Sequence, residues 1–306
     1  MMKFRSMLQA SALLLGVALF APGAANAQCN LESLNPGLNS DCRIEVDGRM
    51  REFDVRVPRD RSAITTVMVD SHGFTSSKEG QARISGLTEL VDTKGIVLIH
   101  NQGISNSHNA GVGENFRGNN CCGTALSQRV DDIGFVRMAV EAVEKSLGLD
   151  ATKIRRGMGG LSNGSALTNL AACEASDFFD FFVGVSFPAP GDLTGCRPGQ
   201  GTIFREFHGT SDTVVNFEGS RPLNSAPADD LSAMVQLRGC DANAEISRLN
   251  SNTMCQVFSG CEGGGSVGMC AVDGGSHVLY PNIAQPNYVD AVSDIIDEAR
   301  EINRTR

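Results

Sequence analysis

The stretch Gly157-Met158-Gly159-Gly160-Leu161-Ser162-Asn163-Gly164-Ser165 constrains the fold of this chain more than any other. Inside it, Gly160-Leu161-Ser162-Asn163-Gly164 matches G-x-S-x-G, the pattern of a sharp strand-to-helix turn that pushes a serine out of the peptide ribbon. The small residues on either side let the backbone bend there. A turn of this kind requires a strand before it and a helix after it, so the surrounding chain must supply both.

The surrounding pattern is that of an α/β protein, with apolar runs alternating with helical segments around a mostly parallel central sheet. Ile44 to Val57 alternates apolar and polar residues and predicts one or two early antiparallel strands. Ala63 to Val69 and Gly95 to Ile99 are β-branched runs suited to central parallel strands. Asp131 or Asp132 caps a helix to about Leu147, with Ile133, Val136, Val140, Val143 and Leu147 as its buried stripe. Past the serine, Ser165 to Ala172 predicts a helix, Phe181 to Ser186, Thr202 to Phe207 and Val267 to Val272 predict strands, and Asn287 to Ile302 predicts a closing amphipathic helix. One segment fits poorly. The strand into Ser162 reads Ile154-Arg155-Arg156-Gly157-Met158, and an arginine and a glycine are poor residues for a strand buried on both faces. Either Arg156 reaches a carboxylate or the strand begins later.

Residues 1–27 read as a signal segment: Lys3 and Arg5, an apolar core from Ala12 to Phe20, and Ala25-Asn26-Ala27 as cleavage site. That core is too short to span a membrane. Gln28 before Cys29 does not suit lipid attachment, so the expectation is a soluble protein, periplasmic or secreted, with 28–306 as a single domain. All ten cysteines lie beyond the cleavage point, which suggests up to five disulfides. No C-x-x-C or His-x-x-x-His spacing supports zinc. Expected pairs are Cys29 with Cys42, Cys240 with Cys261 and Cys255 with Cys270, while the neighbours Cys121 and Cys122 are expected to bond elsewhere. The net charge of −9 becomes more negative by two once Lys3 and Arg5 leave, and no Lys/Arg cluster offsets it. Nucleic acid and strongly anionic polymers are thereby disfavoured as partners.

A serine hydroxyl is a weak nucleophile and needs a base, and the base needs a group that fixes its tautomer. At a turn of this kind the partners follow in the order serine, acid, histidine. Only His208 and His277 follow Ser162. His208 ends a predicted strand just before an acid and reads as a turn-shaping residue. His277, on the loop Gly274-Gly275-Ser276-His277, is then the candidate base. Asp212 is the candidate orienting acid, with Asp273 and Glu218 as weaker ones. The oxyanion donors are expected to be the N–H groups of Asn163, after the serine, and of Phe74 in Val69-Asp70-Ser71-His72-Gly73-Phe74. His72 is expected to brace that loop.

Taken together these segments resemble the exported esterases grouped around bacterial polyhydroxybutyrate depolymerases and feruloyl or acetylxylan esterases. The resemblance rests on His72-Gly73-Phe74-Thr75-Ser76-Ser77, on Asn119-Asn120-Cys121-Cys122-Gly123 with Val130-Asp131-Asp132-Ile133-Gly134-Phe135, on Leu161-Ser162-Asn163-Gly164 with Ala172-Cys173-Glu174, and on the His208 and His277 loops. It implies an α/β-hydrolase fold, a Ser162-Asp212-His277 triad and ester hydrolysis with no cofactor or metal, on a small-molecule or polymeric ester. Three departures stand out. The chain has no tryptophan, His277 is followed by Val278-Leu279-Tyr280-Pro281, and Ser165 stands where a second glycine is usual. A peptidase or amidase on the same scaffold, and a non-catalytic binding protein, are the alternative readings.

Overall fold

The computed structural model describes residues 27–111, 113, 117–118, 120–189, 192–219, 225–283 and 285–302. The expected signal segment lies outside them, apart from Ala27. In chain order the elements are β1 (Ala27–Gln28), β2 (Gly37–Val46), β3 (Arg49–Val57), β4 (Thr66–Ser71), α1 (Lys78–Ile84), α2 (Glu89–Lys94) and β5 (Ile96–Asn101). Then come α3 (Gly123–Ser127), α4 (Asp132–Leu147), β6 (Arg155–Leu161), α5 (Asn163–Glu174), β7 (Phe181–Val185) and β8 (Ile203–Gly209). The last are α6 (Pro227–Leu237), β9 (Ala244–Asn250), β10 (Thr253–Phe258), β11 (Ser266–Val272), α7 (Tyr280–Ile283) and α8 (Gln285–Glu301).

The described strands form one sheet in the order β1-β2-β3-β5-β4-β6-β7-β8-β11-β10-β9. From β5 to β11 every neighbouring pair is parallel. The antiparallel pairs β2–β3 and β10–β9 extend it on either side. Side chains of the central strands alternate between two apolar layers, as a two-sided sheet requires. Val67, Val69, Val97 and Ile99 pack with α4 and α5 residues such as Phe135, Val140 and Leu167. Met68, Ile96 and Leu98 pack with Leu90 and Val91 of α2 and with Val292 and Ile296 of α8.

The α4 stripe follows the expected spacing, with Val136, Val140 and Val143 fully buried and Ile133 and Leu147 packed at the margin. Asp131 is the N-cap and accepts from the Gly134 N–H at 2.7 Å. Asp132 instead turns inward to a buried pair with Arg51, 2.5 Å apart. Arg156 does reach a carboxylate. Its guanidinium grips Glu144 of α4 through two bonds of 2.6 and 2.5 Å and lies 3.9 Å from the centre of the Phe178 ring. Gly157 leaves room for the ring of Phe181 on the adjacent strand, which a Cβ would strike.

All ten cysteines are bridged. Cys29–Cys42, Cys240–Cys261 and Cys255–Cys270 pair as expected, the last two cysteines facing each other in register across β10 and β11. Cys173, at the end of α5, pairs with Cys196. The expectation that Cys121 and Cys122 bond elsewhere is overturned, because they pair with each other. The peptide between them is cis. No helix among the described residues is long and apolar enough to cross a membrane.

Candidate active site

Parallel strands deliver their C-terminal ends to one edge of the sheet, and a crevice opens where the chain reverses direction across the sheet. That point lies at β4, which has β5 on one side and β6 on the other. Four loops leave this edge with the candidate residues. His72-Gly73-Phe74 follows β4, Ser162 follows β6, Asp212 follows β8, and His277 follows β11.

Ser162 sits between β6 and α5 at φ +55° and ψ −115°, a conformation rare outside glycine. Its N–H is held by the Val185 carbonyl at 2.8 Å, and its own carbonyl accepts from Ala166 N–H at 2.8 Å. The bend depends on close backbone contact. A Cβ on Gly164 would lie 2.1 Å from the Ser71 carbonyl oxygen, and one on Gly160 would lie 2.6 Å from both Ser71 O and Gly164 C. The two glycines therefore allow α5 to start directly against the end of β4.

Ser162, His277 and Asp212 meet in one row. His277 Nε2 is 2.9 Å from Ser162 Oγ, and Nδ1 is 2.8 Å from Asp212 Oδ2. The second oxygen of Asp212 accepts the N–H groups of Val214 and Val215 at 2.8 and 2.9 Å. Burial alone would raise the Asp212 pKa. Hydrogen bonds from His208, His277 and the two backbone amides outweigh it, and the carboxyl is held well below its ordinary range. An ionised Asp212 only accepts, so His277 carries its proton on Nδ1 and turns a bare Nε2 toward Ser162. His208 is buried, and its Nε2 lies 2.8 Å from the Val215 carbonyl and 3.4 Å from Asp212 Oδ2. It thus shapes the acid-bearing turn, as expected, and also touches the acid, which the sequence did not announce. Asp273 and Glu218 are solvent-exposed and stand apart from this row.

Gly73 runs alongside the serine, since a Cβ placed on it would be 3.5 Å from Ser162 Cβ. Phe74 follows, half-exposed, and no hydrogen bond among the described residues engages its N–H. Asn163 opens α5, so its N–H has no carbonyl one turn back to bond. Both candidate donors therefore flank Ser162 with their N–H groups uncommitted. The Asn163 side chain is also used. It accepts from His108 N–H at 2.7 Å, donates to His108 O at 3.0 Å and approaches Cys121 Sγ at 3.6 Å, so the loop before α3 is fastened to the elbow. His72 is fully buried. Its Nε2 accepts the Gly103 N–H at 3.0 Å, so Nδ1 holds the proton and donates to Gly73 O at 2.7 Å. Burial and the neighbouring His108 ring lower its pKa to about 3, which keeps it a neutral brace. No cluster of metal-ligating side chains occurs among the described residues.

No protein-family model matches the chain. Feruloyl esterase B of Piromyces equi is 25% identical over 168 residues, which take in 51% of this chain and 30% of that protein. The chain therefore matches well under half the length of that relative. Among solved structures, an acetyl xylan esterase from Aspergillus awamori superposes with a TM-score of 0.55 at 13% identity, covering 78% of this chain and 93% of the other. The native structure of sOPH superposes with a TM-score of 0.57 at 16% identity, covering 90% and 92%. These likenesses establish the fold, a mostly parallel sheet flanked by helices of the α/β-hydrolase kind.

Proposed function

We propose that this protein is an exported serine carboxylic-ester hydrolase whose catalytic residues are Ser162, His277 and Asp212. The observation that carries this reading is the unbroken row from Ser162 Oγ through His277 to Asp212, at the open edge of the sheet. In the reaction, His277 Nε2 takes the Ser162 proton as Oγ attacks the ester carbonyl. Asp212 stabilises the imidazolium that forms. The N–H groups of Phe74 and Asn163 receive the developing oxyanion, each worth on the order of 10²–10³ in turnover. His277 then gives the proton to the leaving alcohol and activates water against the acyl-enzyme. Every step uses groups of the chain itself, so no cofactor is required.

The substrate class we infer is feruloyl, acetyl or hydroxyalkanoate esters, in keeping with the feruloyl esterase relative and the acetyl xylan esterase fold. With no tryptophan, the chain lacks the indole platforms that suit flat sugar rings and solid polymers, which favours small soluble esters. Five disulfides support export after removal of 1–27, with 28–306 as one catalytic domain. The test is Ser162→Ala with a p-nitrophenyl ester. The variant is expected to stay folded and lose hydrolysis, and undiminished turnover would reject the reading.

A further inference from the structure

A carboxyl group that no step of this reaction uses lies beneath the elbow. Glu206, on β8, is 3% exposed. Its Oε1 accepts the Phe187 N–H at 3.2 Å, and its Oε2 lies 3.3 Å from Ser165 Oγ. Ser165 is on α5, three residues past Ser162, and its hydroxyl is 2.8 Å from the Phe187 carbonyl. A carbonyl only accepts, so the single Ser165 proton points to Phe187 O. Ser165 Oγ is then left with lone pairs facing Glu206 Oε2. Two oxygens in that position attract each other only if one carries a proton, and Glu206 is the one able to carry it.

The surroundings agree. The titratable groups facing Glu206 are Asp230 of α6, Tyr288 of α8 and His208 of β8, whose Nδ1 is 3.9 Å from Oε1. Arg205, next to it in the strand, pairs instead with Glu298 at 2.8 Å. Gly184 of β7 abuts Oε2 so closely that a Cβ would strike it. Burial, reinforced by Asp230, pushes the Glu206 pKa well up.

We propose that Glu206 is a neutral carboxylic acid that positions the nucleophile elbow, donating its proton to Ser165 Oγ while accepting the Phe187 N–H. The positioning role rests on Ser162 being the nucleophile, whereas the protonation does not.

Glu206→Gln preserves both hydrogen bonds and cannot ionise. An infrared difference spectrum of wild type minus E206Q at neutral pH is expected to contain the carbonyl stretch of an un-ionised carboxylic acid. Because the folded pKa is raised, the native state holds a proton that the unfolded chain releases, so wild type loses stability as pH rises above the ordinary carboxylate range. The melting temperature of E206Q is therefore expected to gain on that of wild type with rising pH. In turnover, E206Q is expected within about threefold of wild type, and Glu206→Ala to lose kcat by on the order of tenfold. Absence of the acid band, its survival in E206Q, or melting curves that run parallel across pH would overturn the proposal. The spectrum and the melts need no substrate, so their failure is distinct from failure of the Ser162 reading.

Discussion

Asp212→Asn offers a test whose magnitude follows from the four donors around one carboxylate. Oδ1 accepts two backbone N–H groups, from Val214 and Val215, at 2.8 and 2.9 Å. An asparagine will therefore place its oxygen there and its NH₂ where Oδ2 stood, 2.8 Å from His277 Nδ1. The reverse orientation would face an NH₂ against two backbone donors, one buried and one part-buried, at a cost of about 1–3 kcal/mol each. In the preferred orientation the NH₂ donates to Nδ1, so the imidazole proton moves to Nε2 and Ser162 loses its base. Reaction through the minor, flipped population sets the loss in kcat between roughly 30-fold and 10⁴-fold, the upper end being that of a triad with the wrong tautomer. The assay is steady-state hydrolysis of a p-nitrophenyl ester beside a thermal melt. The depressed Asp212 pKa adds stability above the ordinary carboxylate range and loses it as pH falls through the folded value. The melting difference between wild type and D212N is therefore expected to narrow in acid. A folded D212N within about tenfold of wild-type kcat would refute the assignment of Asp212.

Two further outcomes concern the frame around the site. Arg156→Ala strands Glu144 in the protein interior and is expected to cost about 3–5 kcal/mol, a melting shift of roughly 6–20 °C that the double change with Glu144→Leu largely restores; a melt within error of wild type would show the pair to be idle. Gly164→Ala sets a Cβ against the Ser71 carbonyl and is expected to displace the Phe74 loop, with a loss in kcat on the order of 10² and a stability cost of about 1–3 kcal/mol. Unchanged kcat in that variant would show that the loop and the elbow are not pressed together.

What could be read from the chain was what is locally encoded. The G-x-S-x-G bend is a backbone requirement written in five residues, and the central strands and α4 carry their periods openly. The order of serine, acid and histidine pointed to residues 115 apart in sequence that the structure joins at 2.9 Å. Features that depend on what lies opposite were hidden. The strand β9 is mostly exposed along its length and shows no apolar alternation, so nothing marked it. Arg156 looked misplaced because Glu144, its partner, lies on another element. The bridge between Cys121 and Cys122 joins two chain neighbours, which no residue spacing reveals. Glu206 reads as one acid within a strand, and only the hydroxyl of Ser165 against it gives it meaning.

The most direct measurement of the central claim is covalent. After treatment with a fluorophosphonate, intact-mass analysis and peptide mapping are expected to find one adduct, on Ser162, absent in Ser162→Ala and slowed in Asp212→Asn. A chain that stays unmodified, or takes the label with equal ease in Ser162→Ala, would contradict it.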